Sequence, residues 1–282
     1  TLKISAIRKA NNYHVILCNY IIAFGVTLLT NLLNGSVGIF GEIKNVDLSQ
    51  IFTEKTLAGS SVIILGMGLI CGIAFPSNLF LMNNSTQSNG SGLTSFFKQM
   101  STIGGLFFAV AVLGERPTWI QWIGIILIIA AIVLMVVDFK RLKINKGNVL
   151  FFILLTGCVM EIGNKVISGL TVSGYSNVYL MVVFFTSLIF SAIFITRKSG
   201  NIFANFTLKD IIYGIIMGSA NMLNNFFKIQ AMTELPAAIV IPCVAAGSLF
   251  FTNMVGILFF REKANKMYII ALIISIISLF LL

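Results

Sequence analysis

The chain has 282 residues, 57% of them hydrophobic and only 10% charged, with a mean hydropathy of +0.98. A soluble domain carries about 25% charged residues, so this composition excludes one and calls for an all-α polytopic membrane protein. The net charge of +10 reads as loop lysines and arginines that set membrane orientation, not as a nucleic-acid surface.

A bilayer is crossed by about 20 mostly apolar residues. Such segments fall at 13–33, 57–82, 91–113, 118–138, 148–170, 175–196, 209–231, 236–260 and 266–282. A short basic piece, TLKISAIRKANN, precedes the first, with His14 at the helix entrance. The connection from Asn34 to Lys55 is mildly acidic and is expected to hold a short interfacial piece. The stretch NNSTQSNGS at 83–91 is uncharged and reads as a flexible loop. Pro117 and Pro236 stand at helix starts, whereas Pro76 and Pro242 lie inside spans and predict kinks or breaks. Trp119 and Trp122 open a span, as an interfacial aromatic belt would. Gly66, Gly68, Gly72, Gly214 and Gly218 predict close helix packing. Cys18, Cys71, Cys158 and Cys243 sit in apolar segments without a CxxC pair, so neither a disulfide framework nor a zinc site is expected. No zincin, P-loop or GxSxG motif occurs, so the chain reads as a non-enzyme that needs no cofactor.

One offset organises the chain. Glu115 and Glu262 lie 147 residues apart, and the same step pairs Ser101 with Ser248, Ile126 with Ile273 and Leu134 with Leu281. Upstream it pairs Asn78 with Asn225 and Phe80 with Phe227. A constant offset across three apolar segments signals an internal duplication, common among transporters. The expected halves are 1–140 and 141–282. The second half holds five spans and the first four, which leaves two readings: a ten-helix plan whose first helix is absent from this chain, or a nine-helix protein. On alternate loops, thirteen Lys and Arg residues fall on one side and only Lys44, Lys55 and Arg116 on the other. The richer side is expected to be cytoplasmic, with the C-terminus outside. Odd numbers of spans per five-helix half then make the halves inverted repeats.

Nineteen basic residues less those sixteen leave Lys98, Lys165 and Lys228 within spans, joined by Glu161. Each charge at a helix centre costs about 2.5–3.5 kcal/mol on the insertion scale, so all four are candidate functional residues. Glu161 and Lys165 are four apart, acid first, the better order for an intrahelical pair. Asn164 and Ser168 extend that face, and Glu161 lies about 18 Å along its helix, near the midplane. A self-neutralising structural pair and a substrate or proton site both fit. Lys98 shares a face with Thr94, Ser101 and Thr102, and Lys228 with Asn221, Asn224 and Asn225. Both lysines are near enough to span ends to snorkel, and the asparagines serve equally as helix–helix glue or as ligands. The repeat mates Asn78 and Asn225 are expected near the pseudo-twofold axis.

FFAVAVLGERPTWIQWIGIILIIAAIVL, its weaker repeat GILFFREKANKMYIIALIISIISLFLL, and the five-plus-five plan together resemble the drug/metabolite transporter superfamily, EamA-like branch. The second copy departs from the pattern, with Arg261 where the first has Gly114. The resemblance implies an inverted-repeat exporter or exchanger of small organic solutes, with a central cavity and alternating access. Buried positive charge then favours anionic or zwitterionic metabolites. The expected substrate-binding residues are Asn78, Lys98, Glu161, Asn164, Lys165, Asn225 and Lys228, with proton coupling through Glu161. The expected partners are the solute and membrane lipids, in a bacterial cell membrane. The alternative is a non-transporting membrane scaffold or assembly protein.

Overall fold

The computed structural model describes residues 11–45, 55–89, 91–134, 146–199, 206–260 and 266–281. They form nine α-helices and one 3-10 helix, with no strand among the described residues. The α-helices are α1 (Asn12–Leu33), α2 (Leu57–Asn89), α3 (Ser91–Ala111), α4 (Trp119–Leu134) and α5 (Gly147–Leu170). They continue as α6 (Ser176–Ser199), α7 (Leu208–Glu234), α8 (Ala237–Phe260) and α9 (Lys266–Leu281). The 3-10 helix, Ser36–Asn45, is the short piece expected after the first span. Helices α1, α2, α5 and residues 176–198 of α6 are long and apolar enough to cross a membrane. In α7, Asn221, Asn224, Asn225 and Lys228 dilute the apolar run. Burial runs opposite to a soluble protein. Asn19, Ser61 and Ser187 are fully enclosed, while Leu33, Phe107, Ile126 and Phe280 are exposed. Hydrocarbon solvates the apolar surface, and backbone and side-chain polar groups must find partners inside.

One of the expected features is corrected. Residues 83–89 are not a flexible loop, since α2 runs on to Asn89. Its polar side chains are held by protein: Asn12 Nδ2 donates to Asn83 Oδ1 at 2.7 Å, and Thr94 Oγ1 to Ser85 Oγ at 2.7 Å. Asn89 donates to Ser85 and accepts from the Lys146 amide. Neither Pro76 nor Pro242 breaks its helix. The missing amide costs one hydrogen bond, which the rest of a long helix can carry.

The chain divides into two compact units that do not follow the sequence halves. One comprises residues 1–83 and 163–233, the other 84–162 and 234–282.

In the first unit α1 packs along α6, and glycines set the close approaches. A Cβ on Gly68 would lie 2.6 Å from Val182, and one on Gly72 would lie 2.4 Å from Thr186. Ser187 Oγ donates to the Gly72 carbonyl at 2.9 Å. On α7, a Cβ at Gly214 would lie 2.1 Å from Cys18 Cβ, and one at Gly218 would lie 2.6 Å from the Asn19 carbonyl oxygen. Gly66 was expected to pack in the same way but faces open space. It lies on an exposed side of α2. The N-terminal ends of α1 and α7 are tied by Asp210. Its carboxylate accepts from the Asn11 amide at 2.8 Å and the Thr207 amide at 2.9 Å, and lies 3.3 Å from His14 Nδ1. Thr207 Oγ1 accepts in return from the Asp210 amide, a reciprocal capping box. His14 also stacks on Phe206, centroids 4.6 Å apart.

In the second unit α4 packs on α9, α3 on α8, and α8 on α9. Ile128, Ala131, Ile132, Ala245, Ala246 and Ala271 form a core of small and branched side chains. Ser278 Oγ donates to the Gly124 carbonyl at 2.8 Å. The Gly114-Glu115-Arg116-Pro117 turn begins with Gly114 at φ +72°, in the left-handed region glycine tolerates. It delivers Glu115 to the start of α8, where the two carboxylate oxygens accept from the Ala237 and Ala238 amides, each at 3.1 Å. Those amides have no intrahelical partner, and a carboxylate at that end also meets the positive pole of the helix. The repeat mate Glu262 lies outside the described residues.

Candidate functional site

The first unit contains a chain of hydrogen-bonded amides running through four helices. Tyr179 OH on α6 donates to Asn164 Oδ1 on α5 at 3.5 Å. Asn164 Nδ2 donates to Asn225 Oδ1 on α7 at 3.4 Å. Asn225 Nδ2 donates to Asn221 Oδ1 at 3.0 Å, and Asn221 Nδ2 to Asn19 Oδ1 on α1 at 3.3 Å.

An amide can be turned end for end, so the direction of such a chain needs a fixed point. Here the point is the Asn221 backbone carbonyl, 2.8 Å from Asn225 Nδ2. Turning Asn225 over would set two oxygens against each other. With Asn225 fixed, every other member follows, and the chain ends on Asn19 Nδ2, a donor without a partner among the described residues. Asn19 itself is fully buried. A buried donor left bare costs about 1–3 kcal/mol, so the ladder terminates in a demand for an acceptor.

Lys165 on α5 and Lys228 on α7 adjoin the ladder residues Asn164 and Asn225 along their helices, and both are buried, at 5% and 8% exposure. Asn78 is buried on α2 of the same unit. Of the polar stripe expected on α7, Asn221, Asn225 and Lys228 face inward, whereas Asn224 is exposed and takes no part. Its position, 100° from its neighbour around the helix, carries it off the stripe.

The second unit holds Glu161 and Lys98. Glu161 is buried at 3% exposure on α5, and Lys98 is half-buried on α3. Two glycines let these helices touch: a Cβ on Gly104 would lie 2.3 Å from Cys158 Sγ, and one on Gly105 would lie 2.7 Å from Glu161 Cβ. Lys98 and Gly105 are seven residues apart, two turns along one face of α3. Cys158 Sγ, one turn before Glu161 on α5, donates to the Ser101 carbonyl of α3 at 3.5 Å. Glu161 and Lys165 lie one turn apart on α5, as their spacing requires.

A family model, the EamA-like transporter family, matches residues 5–137. Over those residues, just under half of its length, the chain is similar to the EamA-like transporter family. That family lies in the drug/metabolite transporter superfamily, whose membrane proteins carry small solutes and are not enzymes. The apolar helices accord with an integral membrane protein. No curated protein matches the chain. A solved structure, described only as a crystal structure of a protein, is similar with a TM-score of 0.63 at 10% identity. The likeness covers 95% of this chain and 86% of the other, and at that identity it speaks for the fold alone.

The sequence reading missed Asn19 and Tyr179. Each lies in a mostly apolar run, VILCNYIIAF and SNVYLMVVFF, where scattered polar residues are common. Only the arrangement of four helices turns them into the two ends of a ladder.

Proposed function

We propose that the protein moves small anionic or zwitterionic solutes across the membrane by alternating access of two inverted repeats. The observation that carries the reading is the polarised ladder ending on the Asn19 donor, in the same unit as buried Lys165 and Lys228. A bare amide donor and buried lysines favour a solute that brings acceptors and negative charge, and disfavour a lipophilic cation. The pairing of α4 with α9 and α3 with α8, each a helix with its 147-offset counterpart, supports the repeat reading. In this reading Asn78, Asn164, Lys165, Asn225 and Lys228 line the solute path. Glu161 exchanges a proton during the cycle, and Lys98 is its cationic neighbour across the Gly104–Gly105 contact. A carboxyl buried beside cations is suited to that exchange.

The test is solute flux into proteoliposomes under an imposed proton gradient, for wild type and Glu161→Gln. Substitution by Gln keeps the shape and removes the titrating group. The expected result is gradient-driven flux of carboxylate solutes in the wild type, and a flat pH profile in the variant. Identical rates and pH profiles would reduce Glu161 to a structural residue. Absence of flux for a broad panel of solutes would overturn the transporter reading itself.

A further inference from the structure

A cavity of about 250 Å³ lies within the first unit, away from the amide ladder's named residues. Its polar lining is Lys55, Ser168, Thr171, Ser173, Ser176 and Thr233. It is a half-open pocket lined by the C-terminal turn of α5, the connection to α6, the first residue of α6 and the last turn of α7. The connection is pinned by the Val172 amide, which donates to Ser60 Oγ at 3.0 Å, so this wall is fixed by the fold.

The protons of the lining hydroxyls decide what the cavity can hold. Ser168 Oγ donates to the Lys165 carbonyl at 3.0 Å, Thr171 Oγ1 to the Ile167 carbonyl at 2.6 Å, and Thr233 Oγ1 to the Gln230 carbonyl at 2.6 Å. Those three oxygens therefore have only lone pairs left to offer. The opposite character gathers at the start of α6. Ser176 is 6% exposed, lines the cavity and has no hydrogen-bond partner among the described residues. The residue before the helix is Tyr175, which supplies its carbonyl to the Val178 and Tyr179 amides but no short capping oxygen. The amides of Ser176 and Asn177 are thus left to an outside acceptor. Lys55 adds the one formal charge of the lining, at its exposed rim.

We infer that this cavity is a second ligand site, for a small carboxylate that carries a hydroxyl or amino donor beside the carboxyl group. The carboxylate meets the Ser176 hydroxyl, the first amides of α6 and the Lys55 ammonium. The neighbouring donor meets the lone pairs of Ser168, Thr171 and Thr233. The volume falls just under the range of about 300–1,000 Å³ that holds drug-sized ligands, and since a cavity of about 150 Å³ holds benzene, the occupant is restricted to about ten heavy atoms. The assignment is independent of the transport reading, because binding in micelles needs no gradient.

The experiment is saturation-transfer NMR on the purified full chain in detergent micelles, with sodium lactate as the probe and glycerol and choline chloride as comparisons. Lactate is expected to give a saturable signal, with glycerol and choline far weaker. Lys55→Met and Ser176→Ala are each expected to weaken lactate binding about three- to tenfold, the range of one hydrogen bond or one part-exposed charge. Gly66→Ala, at a position with nothing within 4 Å and outside both sites, is expected to retain it. The inference is overturned if lactate gives no saturable signal, if glycerol binds equally well, or if Lys55→Met and Ser176→Ala bind as wild type. Loss in Asn225→Ala with retention in Lys55→Met would move the ligand to the ladder and equally overturn it.

Discussion

Glu115 is the acid of the turn that carries the family resemblance, and the structure gives it a mechanical task that can be measured. Its two oxygens hold the first two amides of α8, each at 3.1 Å. Pro236 precedes those amides, so no Ser, Thr, Asp or Asn side chain stands in the N-cap position to replace the carboxylate. Loss of a cap costs about 1 kcal/mol, and loss of a negative charge at a helix N-terminus about 0.5 kcal/mol more. Because the group is only partly buried, solvent takes up some of the loss. Glu115→Ala should therefore destabilise the protein by about 1 kcal/mol, short of the undiscounted sum of about 1.5 kcal/mol. Glu115→Gln keeps one acceptor oxygen and should lose about half as much. The assay is denaturant-induced unfolding of the purified protein in mixed micelles, followed by the fluorescence of Trp119 and Trp122, which begin α4 just after the turn. Superimposable unfolding curves for wild type and Glu115→Ala would refute the capping role.

The glycine contacts predict a sharp contrast between two similar substitutions. Gly214→Ala places a methyl 2.1 Å from Cys18 Cβ and 3.2 Å from its Cα, so α1 and α7 must part. It should cost about 2–3 kcal/mol, whereas Gly66→Ala, which meets nothing within 4 Å, should leave the thermal midpoint in micelles unchanged or slightly raised. The ladder predicts non-additivity. Asn225→Ala and Asn19→Ala should each lower solute flux about tenfold, and the double variant should be no worse than the more severe single one, because both break one polarised unit. Multiplying defects in proteoliposome flux would show that the two asparagines act separately.

How much of this was legible in the sequence depends on the range of the interaction. The apolar runs by themselves placed the helices, because a span must satisfy its own backbone within the segment and its length is set by the bilayer. The 3-10 piece after α1 also followed from local pattern. The charges of α5 and the stripe on α7 were visible for the same reason: an ionisable residue in an apolar run is conspicuous whatever it touches.

The fold was needed wherever the partner lies far along the chain. Residues 83–89 look like a loop by composition, yet they are helical because Asn12, Thr94 and Lys146 meet their side chains. Gly66 and Gly214 are alike in sequence, and only the neighbouring helix separates an open face from a 2.1 Å contact. Asn224 and Asn225 are adjacent, and the rotation of one helix makes one exposed and the other a ladder member. The direction of the ladder is the plainest case. Composition supplies the amides, but the position of one backbone carbonyl beside Asn225 fixes which end of every amide points where. The bare donor on Asn19 is therefore a product of tertiary structure, since a hydrogen bond has a direction only once both partners have a place.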